Sequence, residues 1–170
     1  MDRIWAPWRI QYILGERQDS GGRCIFCAKP EAPDKKSELV LLKRDKCFVM
    51  MNLDPYNAGH IMICPYEHVH CVTDLDDAAS ADMAATTRLV VPALRRVLNA
   101  QGFNIGYNIG KAAGAGIEEH LHLHVIPRWI GDSNILPVLS ETRVISEHID
   151  ATWERIHAGL EQDGVHDTRS

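Results

Sequence analysis

The chain has 170 residues, 45% hydrophobic and 24% charged, which is enough apolar material for one ordinary core and short for two, so a single domain over 1–170 is expected. Its 18 Lys and Arg against 23 Asp and Glu give a formal net charge of -5, and that supplies no basic footprint for nucleic acid. No apolar run approaches the roughly 18 residues of a membrane span, and Met1-Asp2-Arg3-Ile4-Trp5 does not lead into a signal-peptide apolar stretch, so no membrane partner and a cytoplasmic location are expected.

In chain order, the first informative group is Cys24-Ile25-Phe26-Cys27. The five cysteines are odd in number and too sparse for a disulfide framework, and in a reducing compartment Cys-x-x-Cys is half a metal site, a redox couple or a pair of plain buried thiols. Glu38 to Leu42 and Cys47 to Leu53 are apolar runs about a charged turn, Lys43-Arg44-Asp45-Lys46, and read as two paired strands. Asp54-Pro55-Tyr56-Asn57-Ala58-Gly59 breaks the pattern, and His60 to Cys64 opens a third strand. From about Asp74 the period becomes helical, through Met83, Leu89, Val90, Leu94, Val97 and Leu98, with Arg88, Arg95 and Arg96 late in the segment. Pro92 is expected to kink or split this helix.

A fourth strand, Phe103 to Ile109, leads into Gly110-Lys111-Ala112-Ala113-Gly114-Ala115-Gly116. Such a loop either lets an anion approach backbone N–H groups or simply forms a flexible connection. The segment Glu119-His120-Leu121-His122-Leu123-His124-Val125-Ile126 follows. If extended, it places three imidazoles on one face, roughly 6 to 7 Å apart, and Leu121, Leu123 and Val125 on the other. This fifth strand is expected to close at Pro127. A final helix over Ser146 to Leu160 and a frayed polar tail, Glu161 to Ser170, complete the chain. The fold class expected is α+β: a five-stranded antiparallel sheet with one long helix and a C-terminal helix.

His120-Leu121-His122-Leu123-His124-Val125-Ile126 resembles the signature of the histidine triad nucleotide-binding family, three histidines alternating with apolar residues. Cys24-Ile25-Phe26-Cys27, Gly59-His60-Ile61-Met62-Ile63-Cys64-Pro65-Tyr66-Glu67-His68 and Ile126-Pro127-Arg128 stand in that family's order, so the likeness covers roughly residues 20 to 130. The flanks, Trp5-Ala6-Pro7-Trp8-Arg9-Ile10-Gln11-Tyr12-Ile13 and Pro127-Arg128-Trp129 with Leu139-Ser140-Glu141-Thr142, look like the branch of bacterial diadenosine tetraphosphate phosphorylases and hydrolases.

The resemblance implies cleavage of a purine nucleotide or dinucleoside polyphosphate at the α-phosphate, through a nucleotidyl-histidine intermediate on His122 that water or inorganic phosphate resolves. A neutral imidazole is a good nucleophile near pH 7, provided that its other nitrogen donates to a carbonyl or carboxylate. His124 would hydrogen-bond a non-bridging phosphate oxygen. His120 would complete a structural zinc site with Cys24, Cys27 and His68, a normal closed ligand set, with His60 as second choice for His68 and with His70 and Cys71 as neighbouring donors.

By the same resemblance Asn52 would bind the ribose, and Asn108, Gly110 and Lys111, with Gly116, the phosphates. Ile25, Phe26, Met50 and Leu53 are candidates for the slot around the base, or for plain core. Where many hydrolases of the family carry Gly-Gln-Ser or Gly-Gln-Thr before the triad, this chain has Gly116-Ile117-Glu118-Glu119, which agrees better with the phosphorylase-like branch. Members of this kind are homodimers with joined sheets. A nucleotide-binding regulatory module with little turnover, and a metalloenzyme whose triad grips a catalytic metal, are the other two readings.

Overall fold

The computed structural model describes residues 23–132 and 147–169. Five strands form one antiparallel sheet in the order β1-β2-β3-β5-β4, made of β1 (Val40–Lys43), β2 (Cys47–Met51), β3 (Ile61–Pro65), β4 (Gly102–Tyr107) and β5 (Leu123–Arg128). A short helix, α1 (Ile25–Ala28), precedes them, α2 (Asp77–Leu98) connects β3 to β4, and α3 (Ile149–Gln162) follows β5. The architecture is α+β, as the periodicities indicate. Ser146 and the Trp5, Trp8 and Leu139 flanks lie outside the described residues.

The sheet has two unlike faces. Residues alternate between faces along a strand, and the register sets Met51, Ile61, Val125 and Ile105 in one row and Met50, Met62, His124 and Gly106 in the next. Met51, Ile61 and Val125 of the first row belong to the main core, where Val90, Leu94 and Leu98 of α2 and Trp153, Ile156 and Leu160 of α3 pack. The second belongs to a smaller cluster with Phe26, Val40, Phe48, Met50, Met62 and Cys64. Helices α2 and α3 therefore cover one face, and the histidines stand on the other with Phe26 of α1.

Two sequence expectations need correction and a third is narrowed. Of the kink or split expected at Pro92, helix α2 shows no split: the lost bond is to the Arg88 carbonyl, and both residues are exposed, so water can replace it. Strand β5 does not close at Pro127 but runs to Arg128, with Pro127 paired to Phe103. The β3 ladder has ended at Val125, and the Pro127 carbonyl accepts from the Asn57 side chain on that side, so no ladder donor is missing. The tail is not frayed through to its end. Val165 enters the core, and Asp167 Oδ1 and the Thr168 N–H clamp the N–H and carbonyl of Lys43 at 2.8 and 2.9 Å.

Close approaches fix how the helices sit. A Cβ at Gly59, where φ is +73°, would lie 2.3 Å from Leu98 Cδ1, so the turn before β3 packs directly on the end of α2. Trp153 Nε1 of α3 donates to the Val40 carbonyl at 3.0 Å, tying that helix to the β1 side of the sheet.

Candidate active site and metal centre

The triad is not wholly a strand. The ladder begins at Leu123, so only His124 sits within it, whereas the Leu121 N–H donates to the Val69 carbonyl at 2.6 Å in the loop after β3. The three histidines still share a side, with Phe26 against the rings of His120 and His122 and His122 against His124, while Leu123 and Val125 enter the main core. The sheet therefore does not carry the first two rings; their backbone is held by the β3–α2 loop.

Each imidazole has a fixed tautomer, because each has one partner that can act in only one way. His122 Nδ1 lies 2.8 Å from the His120 carbonyl, which can only accept; Nδ1 therefore carries the proton and Nε2 keeps its lone pair. His60 Nδ1 receives the Tyr56 N–H at 3.0 Å and the Asn52 amide at 3.3 Å, so its proton is on Nε2. That Nε2–H donates to His124 Nδ1 at 2.9 Å, which puts the His124 proton on its own Nε2. His124 Nε2 is buried with no hydrogen-bond partner among the described residues.

A lone pair and an unpaired donor therefore stand side by side on rings whose centroids are 4.8 Å apart. An orphaned buried donor costs about 1–3 kcal/mol, and a ligand oxygen would relieve it. Burial lowers the pKa of His120 and His122 and brings that of His124 down to about 4, so the unpaired donor is on a neutral ring at pH 7. Phe26 lies under His122 at 4.9 Å between centroids, and Tyr56 stacks on His60 at 4.9 Å.

The first histidine points the other way. His120 Nε2–H donates to the Pro65 carbonyl at 2.9 Å, leaving Nδ1 free 3.4 Å from Cys24 Sγ and 3.6 Å from Cys27 Sγ. His68 Nδ1 lies 3.3 Å from Cys27 Sγ, and the four ligand atoms are all within 4.8 Å of one another. Ligands on a tetrahedron with zinc–sulfur bonds of about 2.3 Å and zinc–nitrogen bonds of about 2.1 Å stand roughly 3.3–3.8 Å apart, so the set fits zinc. The Pro65 carbonyl supplies the outer partner that a metal-bound imidazole normally has. His60 is on His124 instead, His70 pairs with Asp74, and neither joins this cluster, nor does Cys71.

The nucleotide-binding candidates are distributed differently. Asn52 is committed to its own turn, with Oδ1 accepting the Asp54 N–H while Nδ2 reaches His60. Phe26 and Met50 are buried and form the floor beneath the histidines rather than an open slot, whereas Ile25 and Leu53 are 37% and 53% exposed. Asn108 Nδ2 donates to the Tyr56 hydroxyl at 3.4 Å, Gly110 adopts a positive φ, and Lys111 Nζ stands 3.8 Å from Glu118. A Cβ at Gly116 would meet open space. Reading the sequence did not find the part played by His60 and Tyr56. A histidine after Gly59 signals a turn into a strand, but nothing in the pattern names the ring it will meet.

Fold and site together define a histidine triad protein: a five-stranded sheet with α2 and α3 on one face and the triad, beside α1, on the other. Residues 33–129 match the HIT domain, and the chain belongs to that family. It is 34% identical over 153 residues to a protein of Mycobacterium tuberculosis called AP-4-A phosphorylase, covering 86% of this chain and 78% of that one. Among solved structures it resembles a zinc-bound histidine triad family protein of Mycobacterium smegmatis, at 31% identity and a TM-score of 0.65, covering 82% of this chain and 94% of that one. It also resembles a histidine triad nucleotide-binding protein of Sulfolobus tokodaii, at 25% identity and a TM-score of 0.65, covering 82% of this chain and 93% of that one.

Proposed function

We propose that the chain cleaves dinucleoside polyphosphates such as diadenosine tetraphosphate at the α-phosphate, through a nucleotidyl-His122 intermediate. The observation that carries this reading is the pairing of tautomers, with the His122 Nε2 lone pair next to the orphaned His124 Nε2–H. One is a nucleophile for phosphorus and the other a donor for a non-bridging oxygen. The likeness to a protein named AP-4-A phosphorylase supports the substrate class.

In the first step the His122 nitrogen forms a bond to the α-phosphorus as the bond to the bridging oxygen breaks, and the polyphosphate leaves with that electron pair. In the second step water or inorganic phosphate attacks the same phosphorus, the P–N bond breaks, and the imidazole is restored. Because His122 Nδ1 keeps its proton and donates it to the His120 carbonyl, the positive charge on the ring of the intermediate is partly balanced by that carbonyl dipole. Exposed Ile25 and Leu53 would contact a base, Asn52 a ribose hydroxyl through the remaining lone pair of Oδ1, and Asn108, Gly110, Lys111 and Gly116 the polyphosphate.

Zinc held by Cys24, Cys27, His68 and His120 would tie α1 to the segment that carries the nucleophile, with no open position for substrate. Strand β4 is a sheet edge with Ile105 47% exposed, and a second copy joining there would give a homodimer and cover that edge.

Incubation with diadenosine tetraphosphate, with and without inorganic phosphate, followed by product identification, tests the reaction. ATP with ADP in a phosphate-dependent yield is the result expected of phosphorolysis, and ATP with AMP that of hydrolysis. Two ADP would place the cut at the central bridge and overturn attack at the α-phosphorus. Binding without turnover would make the chain a regulatory module.

A further inference from the structure

The donor on His124 depends on a hydrogen-bonded chain whose far end lies outside the triad. His60 favours the Nε2–H that donates to His124 because two donors occupy its Nδ1, and the Tyr56 backbone N–H at 3.0 Å makes the shorter of those two bonds. Tyr56 belongs to the turn between β2 and β3. The next residue, Asn57, fastens that turn to the end of β5: its Nδ2 donates to Asp132 Oδ2 at 2.9 Å and to the Pro127 carbonyl at 3.1 Å.

Asp132 is itself fixed. Its carboxylate, 9% exposed, accepts from Arg128 Nε and Nη2 at 2.6 and 2.7 Å and from the Trp129 N–H at 3.0 Å. Such a bidentate, charge-assisted pair holds both groups to one geometry. The same turn is closed by the His60 N–H on the Asn57 carbonyl at 3.1 Å, so a shift of Asn57 carries both the Tyr56 N–H and the His60 backbone with it.

We propose that Asn57 and Asp132 are positioning residues that set the tautomer of His124 through the turn, Tyr56 and His60. Release of the turn withdraws the Tyr56 N–H from His60 Nδ1. His60 Nδ1 then keeps only the longer bond from the Asn52 amide, at 3.3 Å, so the Nδ1-protonated form gains population, and in that form the Nε2 lone pair faces His124 Nδ1. His124 answers by moving its proton to Nδ1, and its Nε2 turns from a donor into an acceptor. A phosphate oxygen would then meet a lone pair. Asn57 and Asp132 touch no substrate; their effect passes entirely through the relay.

The inference rests on the proposed reaction only for its kinetic consequence, so the test has a readout that needs no substrate. In the full-length protein, imidazole nitrogen NMR at neutral pH is expected to show His60 and His124 both protonated at Nε2. In Asn57→Ala one or both become tautomer mixtures, and kcat for diadenosine tetraphosphate falls about 10- to 100-fold, the usual effect of an outer partner, with KM within about twofold.

Asp132→Asn leaves an oxygen for Asn57 Nδ2 to reach but gives up the paired acceptance from Arg128 Nε and Nη2. It is expected to shift the same signals in the same direction by a smaller amount, and it replaces Asn57→Ala as the informative variant if that protein does not fold. Unchanged tautomers in a folded Asn57→Ala, or in a folded Asp132→Asn where the first does not fold, overturn the proposal. Tautomers that shift as expected in a protein whose wild type has no turnover would retain the relay and discard the reaction.

Discussion

At the residue scale the histidines differ by what each ring faces. The spacing His120-Leu121-His122-Leu123-His124 was enough to identify the row and the apolar residues behind it, since alternation needs only extended backbone. It was not enough to show that the first ring turns to Cys24 and Cys27 while the third meets His60, because those partners arrive from other elements.

A pH dependence belongs at this scale. His124 has a folded pKa of about 4, from burial and then from the neighbouring His122, against about 6.5 when unfolded. The unfolded chain therefore binds the extra proton between those values, and stability is expected to fall as pH drops from about 6.5 towards 4, with no further loss from this group below that. Urea midpoints measured from pH 7 to 4 should show this slope, and His124→Gln should reduce it, leaving the part due to buried His120 and His122. The neutral His124 donor is present throughout that window, so its protonation should appear in the pH profile of kcat near 4 rather than 6.5.

At the scale of elements, the first two strands were legible as apolar runs about a charged turn, and helix α2 by its long, unmixed period. Their ends were less so: Asp74 lies in a single turn ahead of α2, and Asn99, in the left-handed conformation, ends that helix. The short helix α1 has only four residues, too few for any period to show. The clamped tail escaped detection because its bonds are long-range, between Asp167 or Thr168 and Lys43.

Gly59 offers a test of how the relay turn packs. Gly59→Ala adds a Cβ at 2.3 Å from Leu98 Cδ1 on a backbone with φ of +73°, and overpacking costs about 1–3 kcal/mol. Thermal unfolding should show a loss of that order, and Gly59→Ala with Leu98→Ala should recover the steric part. For the metal centre, Cys24→Ser with Cys27→Ser, or a strong chelator, is expected to remove one zinc per chain by elemental analysis and to lower the unfolding temperature. The nitrogen signals of His122 should broaden, because the His120 backbone that holds its proton is no longer anchored.

For the whole molecule, the two sheet edges differ. Trp153 and the tail cover the β1 side, whereas β4 carries Phe103, Ile105 and Tyr107 on the helix-side row with only partial cover. Sequence pattern gives a strand but not its place in a sheet, so the open edge could not be read in advance. If a second copy joins there, Ile105→Lys is expected to convert dimer to monomer in sedimentation equilibrium, while the circular dichroism of the sheet is unchanged. A wild type that sediments as a monomer refutes the homodimer.

His120 belongs to two structures at once: its ring faces the thiols, and its carbonyl accepts the hydrogen bond from His122 Nδ1. The two uses are inherited as one residue. A descendant that discarded the thiol pair would free the ring at no chemical loss, yet would need some other anchor for the peptide plane beside it, such as a bulkier neighbour or an added backbone bond. Loss of the cysteines should therefore be accompanied by change in the residues around that plane, rather than occurring alone.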